Sequence, residues 1–183
     1  MELSNVILIL VLLMCLLAIL LAVVCVKRYQ NKKETHKYYE AARQMVKEEC
    51  LNYSLKNPYL RGSGLAAPNS RKIMLYVKLV KAGEKGGFVF DPEDEIVFGR
   101  QKENVSVYIN EAVVSTRHCR IYLDGDELCL EDMGSSNGTG LIRKRKEYAL
   151  SAGSPVVLAE NDMIHVGSRY FQIRIFCYDT TVM

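Results

Sequence analysis

Residues 6–26 of this 183-residue chain hold no charge, proline or glycine. As a helix this stretch is about 31 Å long and apolar on every face, close to the ~30 Å of a bilayer hydrocarbon core. It predicts a transmembrane helix. Polar residues then enter, and Tyr39, Ala42, Val46, Cys50 and Tyr53 recur at three- and four-residue spacing. That single weak stripe predicts a helix over 34–56, read as a lone surface helix that can continue the membrane span as a stalk. Residues 57–70, with two prolines and two glycines, break the pattern and read as a linker. From Arg71 the period becomes two. Short β-rich runs at 73–80, 88–90, 96–98, 105–109, 118–123, 128–131, 156–158, 163–166 and 170–176 alternate with breaks such as AGEKGG, DPED, DGDE and MGSSNG. Many short strands with regular turns predict an all-β sandwich or barrel, and about 110 residues suffice for one such core. Asp124-Gly125-Asp126 between HCRIYL and ELCLED predicts a hairpin. The expected organisation is an anchor over 1–26, a juxtamembrane stalk and linker over 27–70, and one β-domain over 71–183.

A cleaved signal peptide would need a basic start, a shorter apolar run and a small-residue cleavage site. Here Met1 to Asn5 offer only Glu2 as a charge, and Val24 and Met14 precede the two cysteines of the run. An uncleaved anchor is expected. Lys27, Arg28, Lys32, Lys33 and Lys37 follow the span, with only Glu34 among them, and nothing basic precedes it. The positive-inside rule then places the C-terminal part in the cytoplasm. The same cluster can also rest on anionic headgroups.

Charge changes the picture next. Residues 1–70 carry nine Lys/Arg and five Asp/Glu, a net of +4; the remainder carries fifteen and sixteen, a net of −1. The β-region therefore lacks the basic balance of a nucleic-acid binder, and no nucleic-acid partner is expected. Six cysteines are scattered singly with no CxxC pair, so they read as small buried hydrophobes in a reducing compartment, with no metal site. His118 is expected to be structural, since no nucleophile, base and orienter accompany it; His165 falls in a strand pattern and His36 in the charged stalk. No enzyme activity, cofactor or small-molecule substrate is expected. The Asn-x-Ser/Thr triplets at Asn52, Asn104 and Asn137 matter only outside the cell.

The candidate chemistry sits in MGSSNGTG, residues 133–140. A nucleotide loop should end in a helix and carry GxxxxGK[ST] or GxGxxG, whereas this stretch lies between two strand-like runs and has no following Lys. Two other stretches, Phe98-Gly99-Arg100 and VSTRHCR at 114–120, fall at the same end if the strands alternate in direction. Arg100 can hold a phosphate bidentately, Ser115 can donate its hydroxyl, and Asn137 can bond a peptide backbone through both amide edges. Three loops would then converge on one small anionic group.

Gly99-Arg100, then Ser115-Thr116-Arg117-His118, then Ser135-Ser136-Asn137-Gly138-Thr139, then Asn161-Asp162-Met163-Ile164-His165-Val166-Gly167 keep the order and spacing of a known family. The set resembles the forkhead-associated (FHA) domain over roughly residues 71–178. The resemblance implies an eleven-stranded β-sandwich that reads phosphothreonine in another protein, with a small pocket for the γ-methyl group. Arg100 and Ser115 would hold the phosphate. Thr116, Arg117 and Ser136 would assist, and Asn137 would hold the ligand backbone. Gly99, His118 and Gly138 would support the loops. One departure is GLIRKRKEY after SSNGT, where the family often has a second turn like FVNG. The run 143–146 can meet acidic residues of a ligand or the membrane, but a solvated turn is the simpler reading.

The resulting expectation is a membrane-tethered adaptor. Its partner would be a phosphothreonine-containing protein, a Ser/Thr kinase or its substrate. The alternative is a phospho-independent scaffold subunit of a secretion, pilus or division assembly.

Overall fold

A computed structural model describes residues 3–56, 71–80 and 87–179. One helix, α1 (Leu3–Lys56), joins the apolar run and the stalk without a break. Its 54 residues contain no Pro or Gly, so nothing interrupts the hydrogen-bond ladder where hydropathy changes. Its most apolar window has a mean hydropathy of 3.6 and is fully exposed; α1 is long and apolar enough to cross a membrane. The linker expected at 57–70 lies outside the described residues. The chain divides into two compact units, Met1–Ala41 and Ala42–Met183.

The second unit carries eleven strands among the described residues: β1 (Arg71–Leu79), β2 (Gly87–Phe90), β3 (Ile96–Gly99), β4 (Val107–Tyr108), β5 (Cys119–Asp124), β6 (Glu127–Asp132), β7 (Gly140–Arg143), β8 (Lys146–Ala149), β9 (Val156–Val157), β10 (Met163–Val166) and β11 (Arg169–Asp179). They form a six-stranded sheet in the order β2-β1-β11-β10-β7-β8 and a five-stranded sheet in the order β4-β3-β5-β6-β9. Apart from the parallel pair β3/β4, neighbours are antiparallel. The fold is the expected eleven-stranded β-sandwich.

The core lies between the sheets, with Leu75, Phe98, Ile121, Leu130, Ile164 and Ile173 at its centre. Phe98 and Phe171 meet edge-on with ring centroids 5.3 Å apart. Each such side chain contributes roughly 1.5–3 kcal/mol on burial, before entropy is counted. Alternation sends Leu75 and Val77 of β1 into this core. Met74 and Tyr76 on its opposite face are buried as well, as are Phe176 and Tyr178 of β11. Ala42 and Val46 of the α1 stripe are also buried, at 0% and 1% exposure, so the stripe is not that of a bare surface helix. Cys50 and Tyr53 fall outside the residues whose side chains are described. Cys119 and Cys129 are buried as expected, whereas Cys177 is exposed, and burial pushes the Cys119 thiol up.

Two expectations shift at the edges. The run 105–109 shortens to β4, because a 3-10 turn (Lys102–Asn104) precedes it and Ser106 closes back on Val97 through N–H···O at 2.9 Å. The charged run at 143–146 is not one solvated turn. Arg143 ends β7 and Lys146 begins β8 in register with it, leaving Lys144 and Arg145 as the two turn residues. Both are left-handed, with φ of 51° and 67°. Such two-residue hairpin turns favour Asn-Gly, and a side chain there costs about 1 kcal/mol or more.

Candidate functional site

Strand direction alone brings three loops together. β3 ends at Gly99, β5 begins at Cys119, and β6 ends at Asp132 opposite Cys119. The segments after β3, before β5 and after β6 therefore share one end of the five-stranded sheet. Cross-loop bonds hold them there. The Arg100 N–H donates to the Ser115 carbonyl at 2.9 Å, and the Ser136 N–H donates to Ser115 Oγ at 3.1 Å. Asn137 Nδ2 donates to the Val113 carbonyl at 2.6 Å.

Gly99 is required by close approach. A Cβ there would lie 2.2 Å from the Thr116 carbonyl oxygen, which is backbone and cannot yield. His118 is fully buried beneath the loops. Its Nδ1 accepts from the Ser115 N–H at 3.2 Å, which leaves Nε2 to donate to the Gly138 carbonyl at 3.0 Å. Its own carbonyl accepts from Met133 N–H. One imidazole thus holds the SxxH segment to the glycine-rich loop. Gly138 has φ of 77°, the left-handed geometry that presents its carbonyl to that ring.

What remains outward is a small cradle. Arg100 is exposed, and its Nε donates to the Val114 carbonyl at 3.1 Å, so the guanidinium is aimed by its own loop. Its two Nη groups have no partner among the described residues. Ser115 Oγ spends a lone pair on Ser136, which leaves its O–H free to donate outward. The side chains of Thr116 and Ser136 are exposed. Asn137 uses one N–H internally and keeps Oδ1 and its second N–H for a ligand. Arg117 is engaged elsewhere: it pairs with Glu95 at 3.1 Å, and Glu95 also pairs with Arg120 at 2.8 Å. Hydrogen bonds from Arg120 and the charges beside it hold the Glu95 carboxyl below its ordinary range, despite partial burial.

Two acidic residues escaped sequence reasoning. Asp132, at the end of β6, is buried. Its Oδ1 accepts from the N–H groups of Gly134 and Ser135 at 2.9 and 2.8 Å; its Oδ2 accepts from the hydroxyls of Ser135 and Thr139 at 2.7 and 2.5 Å. Burial pushes its carboxyl up, yet these four donors outweigh it and the group lies below the ordinary Asp range. Asp132 thereby winds the start of SSNGT, which commits Ser135 to structure and leaves Ser136 outward. An acid three residues before a serine-rich turn is the signal that could have found it. The second is Glu111, between β4 and β5. It accepts from Ser168 N–H and Oγ at 2.8 and 2.7 Å and from Arg169 Nε at 2.8 Å. Those bonds, the two from Ser168 foremost, lower its carboxyl. No local motif marks Glu111.

Among the described residues no group of three or more His, Cys, Asp or Glu side chains is placed to hold a metal ion. The cradle offers donors without a nucleophile–base pair. Such a set of outward donors is suited to an anion flanked by a polar backbone.

Residues 96–167 match the family model described as FHA domain. The chain is 32% identical over 99 residues to the FHA domain-containing protein FhaB of Mycobacterium tuberculosis, covering 53% of this chain and 63% of FhaB. It is 32% identical over 94 residues to an FHA domain-containing protein of Arabidopsis thaliana, covering 51% of this chain and 23% of that protein. Among solved structures, the FHA domain of an Arabidopsis thaliana hypothetical protein superposes with a TM-score of 0.50 at 28% identity, over 56% of this chain and 86% of that one. The match thus spans under two thirds of the length of these curated relatives.

Proposed function

The β-sandwich of this chain is an FHA domain, and on that premise we propose that the chain is a membrane-tethered adaptor that binds phosphothreonine peptides at the cytoplasmic face. The observation that carries this reading is the pairing of an aimed guanidinium with an outward hydroxyl: Arg100, oriented by Val114, beside Ser115, oriented by Ser136. A phosphothreonine brings nearly two negative charges and three strong acceptors. Arg100 would take two oxygens through its Nη groups, and Ser115 would donate to a third. Asn137 would then hold the peptide backbone beside the phosphothreonine, with Ser136 and Thr116 on the rim. Because the loops are fixed by His118 and Asp132, little ordering entropy is spent on binding.

Tethering by α1 would raise the concentration of this reader near other membrane proteins. The basic flank at Lys27, Arg28, Lys32, Lys33 and Lys37 supports a cytoplasmic FHA domain. The partner would be a Ser/Thr kinase or its substrate.

The test is a binding screen of the detergent-solubilised full chain against phosphothreonine, phosphoserine and unphosphorylated versions of one peptide library. Preference for the first set is expected. Equal binding of all three would favour the phospho-independent scaffold. Protease added to intact cells should leave the FHA domain uncut; digestion without lysis would reverse the orientation.

A further inference from the structure

We propose that the β7–β8 hairpin tip, formed by Lys144, Arg145 and Lys146, docks on anionic lipid headgroups of the bilayer that α1 crosses. This rests on the membrane-anchored reading above but assigns a second, separate contact surface.

The tip breaks a local rule with no return inside the fold. Lys144 and Arg145 both hold positive φ, at 51° and 67°, where Asn-Gly is the unstrained choice. All three side chains are exposed, and none has an ion-pair partner among the described residues. Two acids of the hairpin and its neighbouring strand end are committed: Glu147 bonds His165 Nδ1 at 2.6 Å, and the buried Asp162 takes Arg143 through contacts of 2.6, 3.0 and 3.2 Å. That Arg143–Asp162 pair anchors the base of the hairpin, so the cations sit on a braced arm. Strain retained without an internal compensating contact points to an external ligand, and three adjacent cations fix its charge as negative.

Topology separates this ligand from the phosphopeptide. Gly140 begins β7 at the loop end, level with His165 and Tyr170, and β7 runs four residues away from it. At ~3.3 Å per residue, the tip lies on the order of 13 Å down the sheet. In the same sheet Leu79 pairs with Phe171 near the loop end, while Arg71 pairs with Asp179 at the opposite end. The tip therefore points toward the end of the sheet where β1 begins and β11 ends, opposite the phosphate cradle. An anionic leaflet is the polyanion that an anchored chain meets first, and each Lys or Arg beside one strengthens contact about fivefold. The acidic turn Asp124-Gly125-Asp126-Glu127 lies at the same end but on the other sheet.

The test is hydrogen–deuterium exchange of residues 140–150 in the full chain, reconstituted in nanodiscs of phosphatidylcholine with and without phosphatidylserine. Exchange should slow severalfold in the anionic discs and recover in high salt. Lys144→Asn/Arg145→Gly restores the preferred turn chemistry, so it should melt at the same temperature or higher while losing the lipid dependence. Equal exchange in both discs overturns the proposal. So does a lipid dependence that survives in the double variant, or one seen only on adding an acidic protein. A chain that fails to enter the discs overturns the anchor as well, which separates the two failures.

Discussion

His118 joins Ser115 to Gly138, accepting from the first through Nδ1 and donating to the second through Nε2. The ring is fully buried, so both bonds are made where water cannot replace them. His118→Ala should cost about 2–4 kcal/mol, from a lost pair of buried bonds and the cavity left behind. For a domain of this size that lowers the melting temperature by roughly 10 °C or more. Peptide affinity should fall with it. Differential scanning calorimetry beside titration of one phosphopeptide checks both.

Arg100→Ala should behave oppositely. The side chain is exposed and holds only one internal bond, so the fold should survive. Charge-assisted bonds to phosphate are each worth roughly 1.5–3 kcal/mol, so binding should weaken about tenfold to a hundredfold and lose much of its salt dependence. Asn137→Ala should weaken binding but leave the salt slope, because it removes backbone bonds and not charge. Ser115→Ala should cost less than Arg100→Ala in affinity, with a small drop in stability from the lost Ser136 bond. Calorimetric titration at two ionic strengths separates the three. If folded Arg100→Ala binds like the parent, the phosphate cradle is wrong.

Acid should loosen the glycine-rich loop through Asp132. Its carboxyl is lower in the folded chain than in the unfolded one, so its contribution is fully present above the ordinary Asp range and is lost as pH falls through the folded value. Asp132→Asn should therefore reduce stability at neutral pH by about 1–3 kcal/mol and flatten the acid limb of the stability profile. Denaturant melts from pH 7 down to pH 3 would reveal this. An unchanged acid limb in the variant would remove Asp132 from this role.

The start of the folding unit makes a separate prediction. Ala42 and Val46 are buried and the compact unit begins at Ala42. A fragment over 67–183 should be soluble and rich in β-structure, but one starting at residue 38 should melt several degrees higher. Equal melting temperatures would show that the stripe contributes nothing to the domain.

Strands β1, β2, β3, β5, β6, β9, β10 and β11 were legible because Val, Ile, Leu, Phe and Tyr concentrate in them between turn residues, and the DGDE hairpin was legible because its turn chemistry is ordinary. β8 was not. KEYA has no buried residue, so no periodicity marks it, and its turn uses Lys-Arg where the rule asks for Asn-Gly. β4 was over-read, because Val105 looks β-forming while the chain there is still leaving a 3-10 turn. In the candidate site, Arg100, Ser115 and Asn137 stood out because their residue types match a spacing. Asp132 and Glu111 did not, since an acid at a strand end reads as solvated until its donors are seen in space. The reason for Gly99 was equally hidden, because only the fold brings the Thr116 carbonyl over it.

Glu111 belongs to a connection of the five-stranded sheet, yet its carboxylate bonds to Ser168 and Arg169, at the turn of a hairpin in the six-stranded sheet. The rim of the cradle is therefore stitched to both layers of the sandwich. A core substitution that shifts one sheet against the other should therefore move the cradle through this one carboxylate, far from the substituted residue.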